Sequence, residues 1–338
     1  MPAPPLAPLK FDEIFKETVW GGSRLCRLLG KEVPSNRKTG ESWEIADHPK
    51  GRSIVRTGAY GGMTMHELLK RRGAEVLGRA TTPAGTGPFP LLFKLIDVQD
   101  RLSVQVHPDD AFAAAHEPGE LGKMEAWHIL DADPHARVYR GFKPDVTREM
   151  VVQGLKTGGF REEWLNSFEV KAGDIIFLPP GTVHSAAGGV LFAEIQQNSD
   201  VTYRVFDWNR VGLDGKPREL HVEKSLAVMR FGSVGMPKLV HVRLPGFPYR
   251  RDRLVECSKF VFDLLRFARP ISCQKPSDLF EILCLVKGQA TLHFGPGPKD
   301  TVPLKRGESL LVPAAMPRYE VRPMAAEECS LLSAVPVV

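Results

Sequence analysis

The sequence predicts a mainly β fold of two barrels with helical insertions. Three observations predict it. First, 31 glycines and 28 prolines punctuate the chain. Between them lie short runs rich in Val, Ile, Leu and Phe, the pattern of sandwiches and barrels. Second, helical periodicity is confined to a few segments. Third, "GDIIFLPPGTVH" (173–184) is echoed by "GESLLVPAAMPR" (307–318). In both, glycine and an acidic residue open a turn, an apolar strand follows, and a proline stands six residues after the glycine. The first copy then supplies Gly181 and His184, the second Ala315 and Arg318. This suggests duplicated barrels with a potential ligand in the first alone.

Along the chain, "GMTMHELLKRRGAEVLG" (62–78) has helical spacing, with Thr64 as its N-cap. "PLLFKLI" (90–96) reads as a strand. Leu102 to His107 alternate with period two, so Ser103, Gln105 and His107 share one face and Leu102, Val104 and Val106 the other. Pro108-Asp109-Asp110 ends that strand. Lys123 and Glu125 share a face of "KMEAWHIL" in the same way. "ARVYRGF" (136–142), "DIIFLPP" (174–180) and "VLFAEIQQ" (190–197) read as strands, and "TREMVVQGLKTGGFREEWLNSF" (147–168) as two short helices broken at Gly158-Gly159. After a helix-like "ELHVEKSLAVMRF", the stretch 235–248 marks a boundary. We expect a first domain over 1–238 and a second over 239–338. The second opens on "RRDR" (250–253), read as a solvated edge, and continues through "FVFDLLRF", "FEILCLVKG", "ATLHF" and "ESLLVP".

Bulk properties narrow the function. The 338 residues carry a net charge of +5, from 45 basic and 40 acidic residues interspersed along the chain. No nucleic-acid module is visible. No apolar run approaches the roughly 20 residues of a membrane span, and the N-terminus lacks the order of a signal peptide. Five cysteines, an odd number without a CxxC pair, argue against a disulfide framework. A cytoplasmic protein is expected, monomeric or weakly dimeric, with no nucleic-acid or membrane partner.

The chemistry concentrates in four segments. Gly173, Pro179, Gly181 and His184 resemble the second motif of the cupin superfamily, G-x5-P-x-G-x2-H, and that resemblance implies that the two barrels are cupin jelly rolls. A histidine arriving at a barrel that already carries Gln105, His107 and Glu125 completes a mixed N/O donor set suited to Zn²⁺, and acceptable to Mn²⁺, Fe²⁺ or Co²⁺. "LSVQVHPDD", "ELGKMEAW", "PPGTVHS" and "NSDVTYRVFDW" together resemble the type I phosphomannose isomerases, particularly the shorter bacterial form. "VWGG" (19–22) and "GESWEI" (40–45) add weaker agreement. The resemblance covers residues 15–225 well and the C-terminal barrel loosely.

That resemblance implies one Zn²⁺ per chain on Gln105, His107, Glu125 and His184, and interconversion of mannose 6-phosphate and fructose 6-phosphate through an enediolate. It implies an arginine at Arg204 beside the enediolate, with Asp200 to orient it. Glu194 and Lys123 are acid/base candidates in the same segments. By resemblance Lys94, Ser103 and Arg210 match phosphate-contacting positions. A non-catalytic binder of sugar phosphates would need no such acid/base groups, and a dioxygenase would carry a His-rich set that Gln105 departs from.

Overall fold

Each six-stranded sheet of the protein follows one rule of order. A computed structural model describes residues 4–34, 37–80, 88–232, 235, 238–276 and 278–338. In the first sheet the strands lie as Ile14–Gly22, Thr39–Ile45, Leu91–Val98, Val190–Gln197, Glu125–Ala132 and Ile175–Leu178. A second sheet of five runs Tyr203–Phe206, Val104–Val106, His184–Ala187, Arg137–Phe142 and Leu165–Glu169. The chain beyond 241 repeats the plan. Its six-stranded sheet runs Val242–Leu244, Arg250–Glu256, Phe260–Phe267, Cys329–Pro336, Glu281–Lys287 and Ser309–Val312. Its four-stranded partner runs Ile271–Gln274, Arg318–Pro323, Ala290–His293 and Thr301–Leu304. In both large sheets the strands, counted along the chain, lie first, second, third, sixth, fourth, fifth.

Alternation decides what each strand buries. In Glu125–Ala132, Trp127 and Ile129 join Ile96, Val138, Ile176 and Phe192 in a core between the first two sheets. The outer face of the five-stranded sheet carries Val104, Val106, Val183 and Val205 beneath the helices. The two large sheets share a third core, in which Ile45, Phe93, Leu191 and Ile195 lie with Phe262, Ile282, Cys284 and Leu332. Burying each such side chain stabilises the fold by about 1.5–3 kcal/mol before entropy is counted.

The predicted helix at 62–78 forms over Met65–Leu77. Thr64 Oγ1 accepts from the Glu67 amide at 3.2 Å and Glu67 Oε2 accepts from the Thr64 amide at 2.9 Å, a reciprocal cap. Other expectations need correction. Only Arg148–Thr157 of the 147–168 stretch is α-helical; after Gly158, which is left-handed with φ 70°, comes one 3₁₀ turn and then the strand Leu165–Glu169. Edge pairing with Arg137–Phe142 overrides the local helical spacing there. The strand at 102–107 shortens to Val104–Val106, so Leu102 leaves the alternation and joins the inner core. "RRDR" is no free edge: its strand is flanked on both sides, and Arg250 and Arg251 each stand 2.7 Å from a buried carboxylate, of Asp252 and Asp263 respectively.

The echo also shifts by one residue. Arg318 is exposed, and Tyr319 is the residue that turns inward. Leu178 faces Glu125 and Val312 faces Glu281 across their strand pairs. From Leu178 to His184 is 184 − 178 = 6 residues, and from Val312 to Tyr319 is 319 − 312 = 7. The longer connection puts Tyr319 where His184 stands. Tyr319 Oη donates to Glu281 Oε2 at 2.8 Å, much as His184 Nε2 lies 3.1 Å from Glu125 Oε1. Cys273 pairs with Tyr319 as Gln105 pairs with His184, and Lys275 follows Cys273 by two residues as His107 follows Gln105. In the second half the four inward positions are therefore Cys273, Lys275, Glu281 and Tyr319. Lys275 Nζ is spent on the Leu279 and Ala314 carbonyls, at 2.6 and 3.2 Å.

Candidate metal centre and substrate cavity

Three buried side chains converge inside the first half. His107 stands just past the end of Val104–Val106, Glu125 opens its strand, and His184 opens its own. Their potential ligand atoms all lie within 4.8 Å of one another. His184 Nε2 is 3.1 Å from Glu125 Oε1, and His107 Nε2 is 3.5 Å from Glu125 Oε2. Gln105, paired across the sheet with His184, brings its side-chain amide to 3.2 Å from His184 Nε2. Its oxygen and nitrogen differ only by a flip.

Both rings are aimed by backbone carbonyls. His107 Nδ1 donates to Val201 O at 2.8 Å, and His184 Nδ1 to Thr182 O at 2.9 Å. That fixes the tautomer and leaves each Nε2 lone pair for the centre. Burial, helped by the Lys123 ammonium, pushes His107 down to about 3, so the ring is a neutral donor. Burial alone would raise Glu125, but Lys123 and the imidazoles hold it well below the usual carboxylate range. Among the described residues neither carboxylate oxygen accepts a hydrogen bond. Lys123 Nζ stands among these atoms, 2.7 Å from Glu125 Oε2 and 3.1 Å from His107 Nε2. A cation is thus accommodated here by a buried anion, two neutral nitrogens and an amide. The donor set fits a divalent metal.

A cavity of about 360 Å³ opens beside this cluster. Gln105 and Lys123 reach its wall, as do Ser103, Lys94, Glu194 and Arg204. Glu194 is buried; its Oε1 accepts from Trp127 Nε1 at 2.7 Å, while among the described residues Oε2 has no hydrogen bond. Burial and the nearby Glu125 push its pKa up to about 7 against Lys123 and Lys94. Lys94 Nζ lies 3.3 Å from Glu41 and 3.6 Å from Glu194. Burial opposes its charge, but these two carboxylates raise its pKa above the ordinary value. Arg204 pairs across the sheet with Gln105, which brings it next to the cluster. Its Nη1 donates to Glu219 O at 2.6 Å, and among the described residues its buried Nε has no partner.

Two expected contacts are not made. Asp200 lines the cavity but pairs with Lys50 at 3.0 Å, while Arg204 is held from the 219–221 side. Arg210 does not reach the cavity wall: Asp207, Asp100 and the Arg101 carbonyl hold its guanidinium outside, at 3.0, 3.4 and 2.5 Å. Arg218, which shares the Asp207 carboxylate with Arg210, lines the cavity instead. His221, to which sequence reasoning gave no role, lines it as well. Both follow the turn-rich 207–217 stretch, where no periodicity marks which side chains point inward. A larger groove of about 920 Å³ lies between the two halves, and part of its charge is paired within the lining, as in Lys31–Glu13 at 3.2 Å.

Residues 9–146 match the sequence profile of the phosphomannose isomerase type I catalytic domain. The chain is 36% identical to mannose-6-phosphate isomerase ManA of Bacillus subtilis over 324 residues, covering 95% of this chain and 97% of that one. It is 33% identical to the mannose-6-phosphate isomerase of Streptococcus mutans, covering 93% and 94%. The crystal structure of the Bacillus subtilis mannose 6-phosphate isomerase superposes with a TM-score of 0.85 at 32% identity, covering 97% of this chain and 99% of that one.

Proposed function

The chain belongs to the type I phosphomannose isomerases, and from that premise we propose how its own residues interconvert mannose 6-phosphate and fructose 6-phosphate. One observation carries the reading. One cavity, lined by Glu194, whose pKa is raised to about 7, and by Arg204, borders the His107–Glu125–His184 cluster through Gln105 and Lys123.

The family is metal-dependent, and Gln105, His107, Glu125 and His184 would hold the ion, which we take to be one Zn²⁺ per chain. Bound there, it would supply Lewis-acid polarisation of the sugar carbonyl and stabilisation of the negative charge on its oxygen. Moving the carbonyl between C1 and C2 requires a proton to leave one carbon and reach the other. Ionised Glu194 takes that proton and returns it; a base near pKa 7 suits both directions. Arg204 faces the enediolate, where its charge counts more than in the ground state. Lys123 exchanges protons with the sugar oxygens. Lys94 and Ser103 take the phosphate end, with Arg218 in the role expected of Arg210, because Arg218 is the one that lines the cavity.

We read residues 1–238 as the catalytic unit and 239–338 as a degenerate copy, since the strands of the two stretches form separate sheets. Among the described residues no helix is long and apolar enough to cross a membrane. The five free cysteines fit the reducing cytoplasm, where we place the enzyme as a monomer or weak homodimer.

A coupled assay of mannose 6-phosphate conversion, run beside elemental analysis, tests this. The native protein should carry about one zinc per chain and lose turnover on chelation. His107→Ala and His184→Ala should each lose metal and activity. A fully active metal-free protein would overturn the reading.

A further inference from the structure

His221 sits where the loop after the Arg204 strand turns into the helix Val222–Val228. It is joined to Arg204 twice. The His221 amide donates to Arg204 O at 2.8 Å, and His221 Nδ1 accepts from the Arg204 amide at 3.1 Å. Both backbone groups of Arg204 are therefore satisfied by one residue, which fixes the root of its side chain. An Nδ1 that accepts must be unprotonated, so the neutral ring carries its proton on Nε2. Burial lowers the His221 pKa, with Arg204 and Lys224 acting in the same sense against Glu219 and Glu117. Among the described residues nothing accepts from Nε2. The ring lines the cavity beside Arg204 and Arg218. Arg204, which the same ring anchors, lines that cavity too, and among the described residues its buried Nε also has no hydrogen bond. His221 Nε2–H is thus an uncommitted donor on the residue that anchors Arg204, at the wall of a cavity suited to an oxygen-rich ligand.

We propose that His221 positions Arg204 through Nδ1 and binds the sugar phosphate through Nε2–H, donating to a substrate oxygen that Arg204 also contacts. This rests on the isomerase reading above. The two roles sit on different ring atoms and can be separated. Asparagine places an oxygen near the Nδ1 position and lacks the distal donor. Glutamine places an N–H near the Nε2 position and lacks the proximal acceptor.

The test uses the full-length, metal-loaded chain and steady-state kinetics with mannose 6-phosphate. His221→Asn should raise KM by about 3- to 10-fold, the worth of one neutral hydrogen bond, with kcat within about 2-fold of the native value. His221→Gln should keep KM and lower kcat, because Arg204 is no longer held. His221→Ala should show both losses. Metal content should stay native in all three, since His221 touches no ligand. Native kcat and KM in all three variants would overturn the proposal. So would an asparagine variant that loses kcat as badly as alanine does. The native chain, assayed in parallel, reports separately on the isomerase reading. Turnover there with no split among the variants removes only His221, and a native, metal-loaded chain without turnover removes both.

Discussion

Replacing Trp127 by phenylalanine should move one limb of the pH–rate profile while leaving the fold intact. The indole stacks on Phe192 with ring centroids 4.4 Å apart, and phenylalanine retains most of that contact. What it loses is the Nε1–H donated to Glu194 Oε1 at 2.7 Å, the one hydrogen bond this carboxylate receives among the described residues. A bond to an ionised group contributes about 1.5–3 kcal/mol, and 1.36 kcal/mol is one pKa unit. The donor favours the charged form, so its loss raises the Glu194 pKa by about 1–2 units. Starting from about 7, the group would titrate near 8–9. At pH 7 the ionised fraction then falls from about a half to between a tenth and a hundredth, so kcat drops about 5- to 50-fold. Activity should return as the pH is raised, which a damaged active site would not do. The assay is kcat against pH on zinc-loaded protein, with Glu194→Gln as the control in which that limb vanishes. An acid limb that stays put in Trp127→Phe, while vanishing in Glu194→Gln, would refute the claim that the indole tunes the base. A limb that survives Glu194→Gln would remove Glu194 from the proton transfer altogether.

Two further outcomes follow from other parts of the molecule. Arg218→Ala should raise KM for mannose 6-phosphate by about 10- to 150-fold, the range for a lost charge-assisted bond, whereas Arg210→Ala should change it less than 3-fold; the reverse ranking would return the phosphate to Arg210. In the second half, burial raises the pKa of Glu281 against the pull of Ser333, Tyr319 and Arg251, so its contribution to stability is full below the unfolded-state value near 4.3 and declines as pH rises through the folded-state value. Glu281→Gln should therefore flatten that part of the melting-temperature profile, and an unchanged slope would show that another group titrates there.

The convergence of His107, Glu125 and His184, with Gln105 beside them, was legible because strand alternation ties Gln105 and His107 to one face, and because the glycine–proline spacing around His184 is rigid. The helix at 65–77 was legible from its cap. The inward residues of the 207–221 stretch were not. A loop has no period, and which of Arg210 and Arg218 faces the cavity depends on how both share Asp207. Residues 159–168 misled for a different reason. Their local spacing is helical, but a sheet edge stood ready to take Leu165–Glu169 as a strand. The second half hid its inward positions behind a connection one residue longer. Register by motif then selects Arg318, while register by strand pairing selects Tyr319.

The matching strand order sets two charge pairs in corresponding places with opposite signs. Lys94 pairs with Glu194 across the first sheet as Asp263 pairs with Ser333 across the third, and Glu41 faces Ile96 as Arg251 faces Leu265. In the first half Lys94 lies 3.3 Å from Glu41; in the second, Asp263 lies 2.7 Å from Arg251. Neither partner can change sign alone without setting like charges side by side in a site where Lys94 and Asp263 are both buried. A direct reversal of sign in one half therefore needs both members of the pair to change together. Grafting either pair whole into the other half should be tolerated far better than grafting one member of it.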